Sequence, residues 1–219
     1  MPPDGSKYQI RHCLQPTCRF RFHAPIGINR VENCPKCGSP TQIVPIPFPD
    51  YRQNPVSTIP TKKVEVLLDN IRSAYNIGSI LRTADGAGVS HVYFCGISPT
   101  PDQPKVMKTS LGAEATINWS QHWNALDVIK DCRKKGMFLC ALEGGTNSRS
   151  LFDSDFFPQE NALLLIIGNE VTGIDPEILG ICNQIFWIPM NGTKRSLNVT
   201  VAFGIAVYFL SMFPGYQSK

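Results

Sequence analysis

The fold class is decided by an apolar run that ends abruptly in polar residues, Leu163-Leu164-Leu165-Ile166-Ile167-Gly168-Asn169-Glu170. Five large apolar residues in a row, closed by a glycine, predict a strand that is buried on both faces. Four further apolar runs predict strands of the same kind, at residues 64–68, 92–95, 138–142 and 185–188. These strands favour a sheet that is covered on both sides.

Helical patterns lie between the predicted strands. Ile77, Ile80, Leu81 and Ala84 follow the i, i+3, i+4, i+7 spacing of an apolar helix face. Residues 123–135 predict a second helix, Asp175 with the following proline predicts the start of a third, and residues 196–212 predict a long closing helix. This alternation predicts an α/β fold, with a mostly parallel sheet and helices on both faces.

Ligand sites of such folds lie at the carboxyl ends of the strands. Here the predicted ends are rich in glycine and polar residues: Gly96, Glu143-Gly144-Gly145, Gly168-Asn169-Glu170 and Pro189-Met190-Asn191-Gly192.

Composition excludes several classes of protein. The 219 residues include 42% hydrophobic and 17% charged residues, which is enough apolar material for a core and argues against disorder. The N-terminus lacks the apolar segment of a secretory signal. Residues 197–213 are short for a membrane span and carry polar interruptions, so they predict a buried helix. We therefore expect a cytoplasmic protein without a membrane partner.

The first quarter of the chain differs from the rest. Residues 1–60 contain seven Lys or Arg against three acidic residues, which accounts for the whole net charge of +4. A basic segment beside a neutral body is typical of a nucleic-acid arm, and an ordinary solvated basic surface explains it equally well. Prolines then cluster between residues 40 and 60. We predict a basic zinc-ribbon-like module at 1–40, a Pro-rich linker at 41–61 and a larger domain at 62–219.

Four of the eight cysteines lie in this module: Cys13, Cys18, Cys34 and Cys37. The spacing C-x4-C followed by C-x2-C predicts two short loops that hold a four-thiolate structural zinc, with no open position for catalysis. His12 and His23 are alternative ligands. A thiol redox role for the second pair is the competing interpretation, which Gly38 and the first pair disfavour.

Three polar clusters accompany the apolar elements of the larger domain. The first includes Asn76, Gly78 and Arg82; Arg82 points off the apolar stripe, and a surface ion pair with Asp85 is its structural alternative. The second follows the strand at 163–167. The third is a basic loop before the closing helix, where Ser196 is either an N-cap or part of an anion site.

The three clusters together resemble the three motifs of the SpoU/TrmH family of RNA 2′-O-ribose methyltransferases, in the SPOUT superfamily. The matching segments are Asn76-x-Gly78-x-x-x-Arg82, Gly168-x-Glu170-x-x-Gly173, and Ile188-Pro189-Met190 with Ser196-Leu197-Asn198-Val199. Residues 108–113 add a further match, and the resemblance covers about residues 63–213. The zinc-ribbon-like module is not a general part of this family.

The resemblance implies S-adenosylmethionine as methyl donor, a deep C-terminal trefoil knot, tRNA or rRNA as substrate, and a homodimer with the active site near the subunit interface. It also implies a catalytic group of Asn76, Arg82, Glu170, Ser196 and Asn198. The implied cofactor-binding residues are Gly144, Gly168, Ile188 and Leu197. A non-catalytic zinc-ribbon RNA-binding protein is the alternative, which the intact catalytic group disfavours.

Overall fold

The structure is a computed structural model that describes residues 8–26, 32–45, 62–153, 160 and 162–212. The chain divides into two compact units, Met1–Ser57 and Thr58–Lys219.

The first unit contains a three-stranded antiparallel sheet. Its strands are β1 (Tyr8–Cys13), β2 (Arg21–Pro25) and β3 (Thr41–Val44), in the order β2-β1-β3. The predicted start of the linker at residue 41 is wrong, because Thr41–Val44 form strand β3 and pair with β1. Thr41–Val44 contains no proline, and Pro40 and Pro45 only flank it, so every backbone donor of the strand is present. Residues 46–61 of the predicted linker lie outside the described residues.

The second unit is built on a seven-stranded sheet in which every neighbouring pair is parallel. The strand order is β6-β5-β4-β9-β7-β10-β8. The strands are β4 (Lys63–Asp69), β5 (His91–Cys95), β6 (Trp119–His122), β7 (Phe138–Leu142), β8 (Arg149–Ser150), β9 (Ala162–Ile167) and β10 (Gln184–Trp187). The helices are α1 (Ala74–Ala87), α2 (Pro104–Ser110), α3 (Ala125–Lys134), α4 (Pro176–Ile181) and α5 (Val199–Met212), with a 3-10 turn at Ala113–Ala115.

Both faces of this sheet are covered by helices, as predicted. Alternate residues of β4 separate the two cores: Val66 belongs to the same core as Phe203 of α5. Leu67 belongs to the other, with Ile129 of α3 and Ile178 of α4. The predicted parallel α/β architecture is therefore confirmed.

The closing helix begins later than predicted. It starts at Val199 instead of Ser196, because Asn198 supplies the cap: its Oδ1 accepts a hydrogen bond of 2.8 Å from the backbone N–H of Thr200. Phe203 and Leu210 of this helix are buried in the core. Within the described ranges, no helix is long and apolar enough to cross a membrane.

Helices α1 and α5 run in the same direction along each other. A β-carbon on Gly204 would lie 3.6 Å from Cγ2 of Thr83, and one on Gly86 would lie 2.7 Å from the hydroxyl of Tyr208. The two contacts advance together along both helices. The first turns of α1 and α5 therefore lie at the same end of the domain.

Candidate active site and metal centre

The central feature of the site is a carboxylate placed on the first turn of α1. Glu170 follows β9, and its carboxylate accepts hydrogen bonds from the backbone N–H groups of Arg72 (2.9 Å) and Ser73 (3.2 Å). The side-chain amide of Asn76 donates a third bond of 2.9 Å to the same carboxylate. Ser73 caps the helix through its hydroxyl, which accepts from the N–H of Asn76. The structure thus brings Asn76 and Glu170 together across 94 residues of sequence.

These hydrogen bonds decide the charge of Glu170. Partial burial acts to raise the pKa of its carboxyl group, but the bonds from Arg72, Asn76 and Ser73 outweigh burial and lower it. The start of a helix also favours a negative charge. Glu170 is therefore an ionised, oriented acceptor at neutral pH.

The loop that carries Glu170 is held by its own backbone. Asn169 and Gly173 exchange two backbone hydrogen bonds, of 3.1 and 2.9 Å. The Asn169 side chain donates to the carbonyl oxygen of Asn70 at 2.7 Å, which ties this loop to the end of β4. Gly168, predicted to bind cofactor, is buried, and a β-carbon there would lie 2.5 Å from Ile174 and 2.6 Å from the Gly173 carbonyl. Gly168 therefore allows the loop to fold back on its own strand.

Glu143 is a site residue that the sequence analysis did not single out. Its carboxylate accepts from the backbone N–H groups of Gly144 and Ile174, each at 3.1 Å, and so joins the ends of β7 and β9. The signal available in the sequence was its position directly after a predicted strand. Glu143 lines an open cleft of about 350 Å³. The other lining residues are Gly144, Gly145, Thr146, Asn147, Ser148, Pro176, Leu179, Gly180 and Ile185.

Arg82 is exposed, as its position off the apolar stripe predicts. It forms no ion pair or hydrogen bond with any residue that the structure describes. Asp85, its alternative surface partner, instead accepts a hydrogen bond of 2.7 Å from Thr116. Arg82 lies six residues beyond Asn76, about 9 Å along the helix axis. Glu170 therefore orients Asn76 and not Arg82.

The third cluster lies in the segment before α5. Ser196 and Asn198 are exposed, Leu197 is half-buried, and Ile188 packs against the core. Across the described ranges, neither Ser196 nor Asn198 forms a hydrogen bond with the Asn76–Glu170 pair. They belong to the same end of the domain, because α1 and α5 start there together. Of the four predicted cofactor residues, Gly144 alone lines the open cleft.

Gly78, the glycine of the first cluster, lies where two helices cross closely. A β-carbon at this position would lie 1.9 Å from Oγ1 of Thr109 and 2.5 Å from the carbonyl oxygen of Val106. Helix α2 therefore crosses α1 closely at the turn that carries Asn76.

The four N-terminal cysteines converge as predicted. All four sulfurs lie within 4.8 Å of one another, with 3.4 Å between Cys13 and Cys37 and 3.8 Å between Cys18 and Cys34. Sulfurs around a tetrahedral zinc, at Zn–S distances of about 2.3 Å, are separated by about 3.8 Å. The geometry of the cluster therefore fits a zinc ion.

The second loop is shaped for thiolates. Gly38 adopts the left-handed conformation (φ 75°), and its N–H donates to the carbonyl oxygen of Cys34 at 2.8 Å. Hydrogen bonds from the side chain and backbone of Ser39 lower the pKa of Cys37 to about 6, whereas burial raises the pKa of the neighbouring Cys13 to about 12. His12, an alternative ligand, contacts Gln42 at 3.1 Å and lies outside the four-sulfur set, as does His23. The remaining cysteines are buried or half-buried in the second unit, at Cys95, Cys132, Cys140 and Cys182.

Comparison with known families defines the class of the second unit. Residues 63–208 match the model of the SpoU rRNA Methylase family, and the chain belongs to this family. The match covers the elements that carry Asn76, Glu143 and Glu170, and it ends within α5.

Curated relatives are RNA methyltransferases. A tRNA (guanosine(18)-2'-O)-methyltransferase of Aquifex aeolicus is 29% identical over 154 residues, covering 67% of this chain and 68% of the relative. A 23S rRNA (guanosine-2'-O-)-methyltransferase of Xanthomonas axonopodis pv. citri is 31% identical over 143 residues, covering 65% and 56%. The chain thus spans little more than half the length of the second relative.

Two solved structures with bound AdoMet share the fold. The AdoMet-bound rRNA methyltransferase of Sinorhizobium meliloti is 27% identical with a TM-score of 0.63, over 70% of this chain and 57% of that one. The SpoU methyltransferase AviRb of Streptomyces viridochromogenes, in complex with AdoMet, is 26% identical with a TM-score of 0.61, over 80% and 68%.

Proposed function

We propose that the chain is an S-adenosylmethionine-dependent RNA methyltransferase that methylates a ribose 2′-hydroxyl of tRNA or rRNA. The observation that carries this proposal is the Asn76–Glu170 hydrogen bond at the start of α1, in a chain of the SpoU family. The names of the relatives support the choice of reaction.

The cleft beside Glu143 fits a methyl donor of this kind. A β-carbon on Gly144 would meet open space, so backbone can approach a ligand there. Leu179 and Ile185 contribute apolar side chains to its lining, and Thr146, Asn147 and Ser148 contribute polar ones. Gly144 lines this cleft, and Gly168 would shape the loop beside it. Ile188 and Leu197 lie outside the cleft and are proposed as cofactor residues on the family resemblance alone. When bound, S-adenosylmethionine supplies a methyl group on a positively charged sulfonium sulfur. The leaving group is then a neutral thioether, so no acid is needed to protonate it.

The chain's own residues then have to position a ribose hydroxyl. Because the Asn76 amide N–H donates to ionised Glu170, its carbonyl oxygen is left to accept a hydrogen bond from the 2′-hydroxyl. Ser196 and Asn198 would hold the ribose. Alignment of this kind contributes several kcal/mol to a group transfer.

Arg82 would stabilise the negative charge that develops on the 2′-oxygen and on the adjacent phosphate. A guanidinium has a pKa above about 12 and is a poor base at neutral pH, so electrostatic stabilisation is the role that its chemistry favours. The proton then leaves to the phosphate or to solvent.

We infer a homodimer with the active site near the subunit interface. Tyr75 lies seven residues before Arg82, on the same side of α1, and is 57% exposed. Tyr208 and Val201 of the neighbouring α5 are 45% and 50% exposed. A second copy that covers these apolar side chains would place Arg82 at the boundary between subunits.

We also propose the deep trefoil knot for the C-terminal part. Strand β10 lies on the β8 side of the sheet, whereas α5 returns to contact α1, β4, β7 and β9. To make this return, the C-terminal segment must pass the loop that follows β7, and threading of that kind supports the proposed knot.

For the first unit we propose a structural zinc held by Cys13, Cys18, Cys34 and Cys37. Four thiolates fill a tetrahedral site, so this zinc would stabilise the module and take no part in methyl transfer. None of the eight cysteines forms a disulfide, which suits a reducing compartment, and we propose the cytoplasm.

The test is methyl transfer from radiolabelled S-adenosylmethionine to total RNA from cells that lack the gene. Arg82→Ala should retain less than about a tenth of wild-type turnover, since one charge at the reacting oxygen contributes roughly tenfold or more. Its affinity for S-adenosylmethionine, measured by calorimetry, should be unchanged. Lys130→Ala, an exposed cation on α3, is the matched control and should behave as wild type. A wild-type protein that binds RNA and S-adenosylmethionine without transfer would establish the non-catalytic alternative.

A further inference from the structure

The first unit carries a groove that the proposed chemistry does not use. It has a volume of about 530 Å³ and lies at the tip of the β1–β2 hairpin, where the first cysteine loop connects the two strands. Its lining residues are His12, Cys13, Leu14, Pro16, Arg19 and Arg21.

Two arginines give this groove its charge. Arg19 and Arg21 are exposed, and neither forms an ion pair with a residue that the structure describes. Among residues 8–26 and 32–45 there are four Lys or Arg residues, and Glu32 is the single acidic one. Arg19 and Arg21 therefore present guanidinium groups that no described carboxylate neutralises, beside a proposed zinc–tetrathiolate centre whose own net charge would be −2.

Arg19 occupies a backbone position that normally favours glycine. It follows the second cysteine of its loop and has φ 49°, just as Gly38 follows the second cysteine of the other loop with φ 75°. A side chain in the left-handed region costs free energy that glycine avoids. The strained position therefore carries an arginine although glycine would fold better, which points to a use for the side chain.

We propose that this groove binds phosphates of the RNA substrate, with Arg19 and Arg21 as the contacting residues. The guanidinium presents a rigid fork of donors that matches phosphate oxygens, and His12 beside it adds a further polar group. The choice of RNA as the polyanion rests on the proposed function. The groove contributes substrate affinity, while the second unit performs the transfer.

The test uses the full chain and two separate readouts. RNA affinity is measured by fluorescence anisotropy with bulk tRNA and with ribosomal RNA, over a salt series, for wild type and for Arg19→Gly combined with Arg21→Gln. The slope of log affinity against log salt should flatten by about 1.5 to 2 for two lost phosphate contacts. At physiological salt the affinity should fall by about tenfold or more.

Three controls separate this loss from unfolding or lost chemistry. Arg19→Gly alone should keep the zinc and raise the thermal midpoint slightly, because glycine relieves the left-handed strain. Lys36→Gln removes an equal charge from the other cysteine loop, outside the groove, and should change affinity far less. In methyl transfer, the double variant should raise KM for RNA and leave kcat unchanged.

The proposal would be overturned if the plots of log affinity against log salt superimpose for the double variant and wild type. An acidic protein partner would then fit the groove better. That result leaves the proposed methyl transfer intact, because transfer is measured independently. A wild type without transfer activity would, conversely, leave the binding measurement valid.

Discussion

Replacing Glu170 by glutamine tests the geometry of the site with a change of one atom. In wild type one carboxylate oxygen accepts from Ser73 N–H and Asn76, and the other accepts from Arg72 N–H. The best glutamine rotamer keeps its carbonyl on the first two donors and turns its amide toward the third, where two N–H groups then oppose each other. One bond to a charged acceptor is lost, and the other two are weakened.

The cost in stability follows from the exposure of the site. A hydrogen bond to a charged group contributes about 1.5–3 kcal/mol, and water can replace part of it where the acceptor is exposed. We therefore expect Glu170→Gln to lose about 1 kcal/mol in urea unfolding, or about 2–4 °C in the thermal midpoint. Glu177→Gln, an exposed carboxylate in the first turn of α4, is the matched control and should change stability by less than about 0.5 kcal/mol.

The loss of turnover in methyl transfer should be larger than the loss of folding stability alone would cause. In Glu170→Gln the bond that orients Asn76 is weaker because its acceptor is no longer charged, and misalignment of a reacting group costs about tenfold or more in turnover. The assay is radiolabelled transfer at a temperature where both proteins are folded. Wild-type turnover in Glu170→Gln would refute the role given to the Asn76–Glu170 pair.

The difference between the two proteins should also depend on pH. The pKa of Glu170 is lower in the folded chain than in the unfolded one, so its stabilisation is complete above the unfolded value of about 4.3. It is lost as pH falls through the lowered folded value. Unfolding curves of wild type and Glu170→Gln should therefore converge in acid, and a gap that is constant with pH would contradict an ionised Glu170.

Two further predictions concern packing and the metal. Gly78→Ala should cost about 1–3 kcal/mol, because its β-carbon would meet backbone atoms of α2 at 2.5 and 2.9 Å. Gly86→Ala should stay near wild type in the same urea titration, since it meets only the hydroxyl of the exposed Tyr208 and gains about 0.5–1 kcal/mol in helix propensity; equal losses in both would count against the close crossing. Elemental analysis should find one zinc per chain, reduced to less than about half by Cys37→Ser and unchanged by Cys182→Ser, because removing one of four ligands opens the tetrahedral site. A zinc-free wild type, purified without chelator, would disprove the metal centre.

The sequence predicted the interior of the second unit well, for a physical reason. Strands buried on both faces are continuous apolar runs, and all five predicted runs are strands. Asp175 also caps α4 as predicted, with its carboxylate accepting from the N–H of Glu177. Local signals of this kind depend on a few neighbouring residues, which the sequence displays directly.

Elements at the edges of the sheets were missed because they lack that signal. Strand β6 reads Trp119-Ser120-Gln121-His122, a polar segment that is strand only because β5 pairs with it. Strand β3 lies among prolines and needs β1. The start of α5 was predicted three residues early because Ser196 and Asn198 are both good caps, and the sequence pattern does not distinguish between them.

In the site, too, features with a local sequence signal were predicted, and features that depend on distant residues were not. Periodicity alone placed Arg82 off the apolar stripe, but no local pattern joins Asn76 to Glu170. Only the family resemblance grouped these residues, and the structure then supplied the hydrogen bond between them. Glu143 was placed at a strand end but given no role, because its partners are the backbone N–H groups of Gly144 and Ile174, which no side-chain pattern identifies.

The position of β9 has a consequence for synthesis on the ribosome. This strand lies between β4 and β7 in the sheet, yet it follows both in the chain. Until residues 162–167 have left the exit tunnel, the nascent chain holds two separate strand edges with unsatisfied backbone donors and acceptors. Such edges are templates for association with other chains. The late part of translation is therefore the interval in which a chaperone would be of most use to this protein, and a stall at which β7 has left the tunnel and residues 162–167 have not should yield aggregated nascent chains.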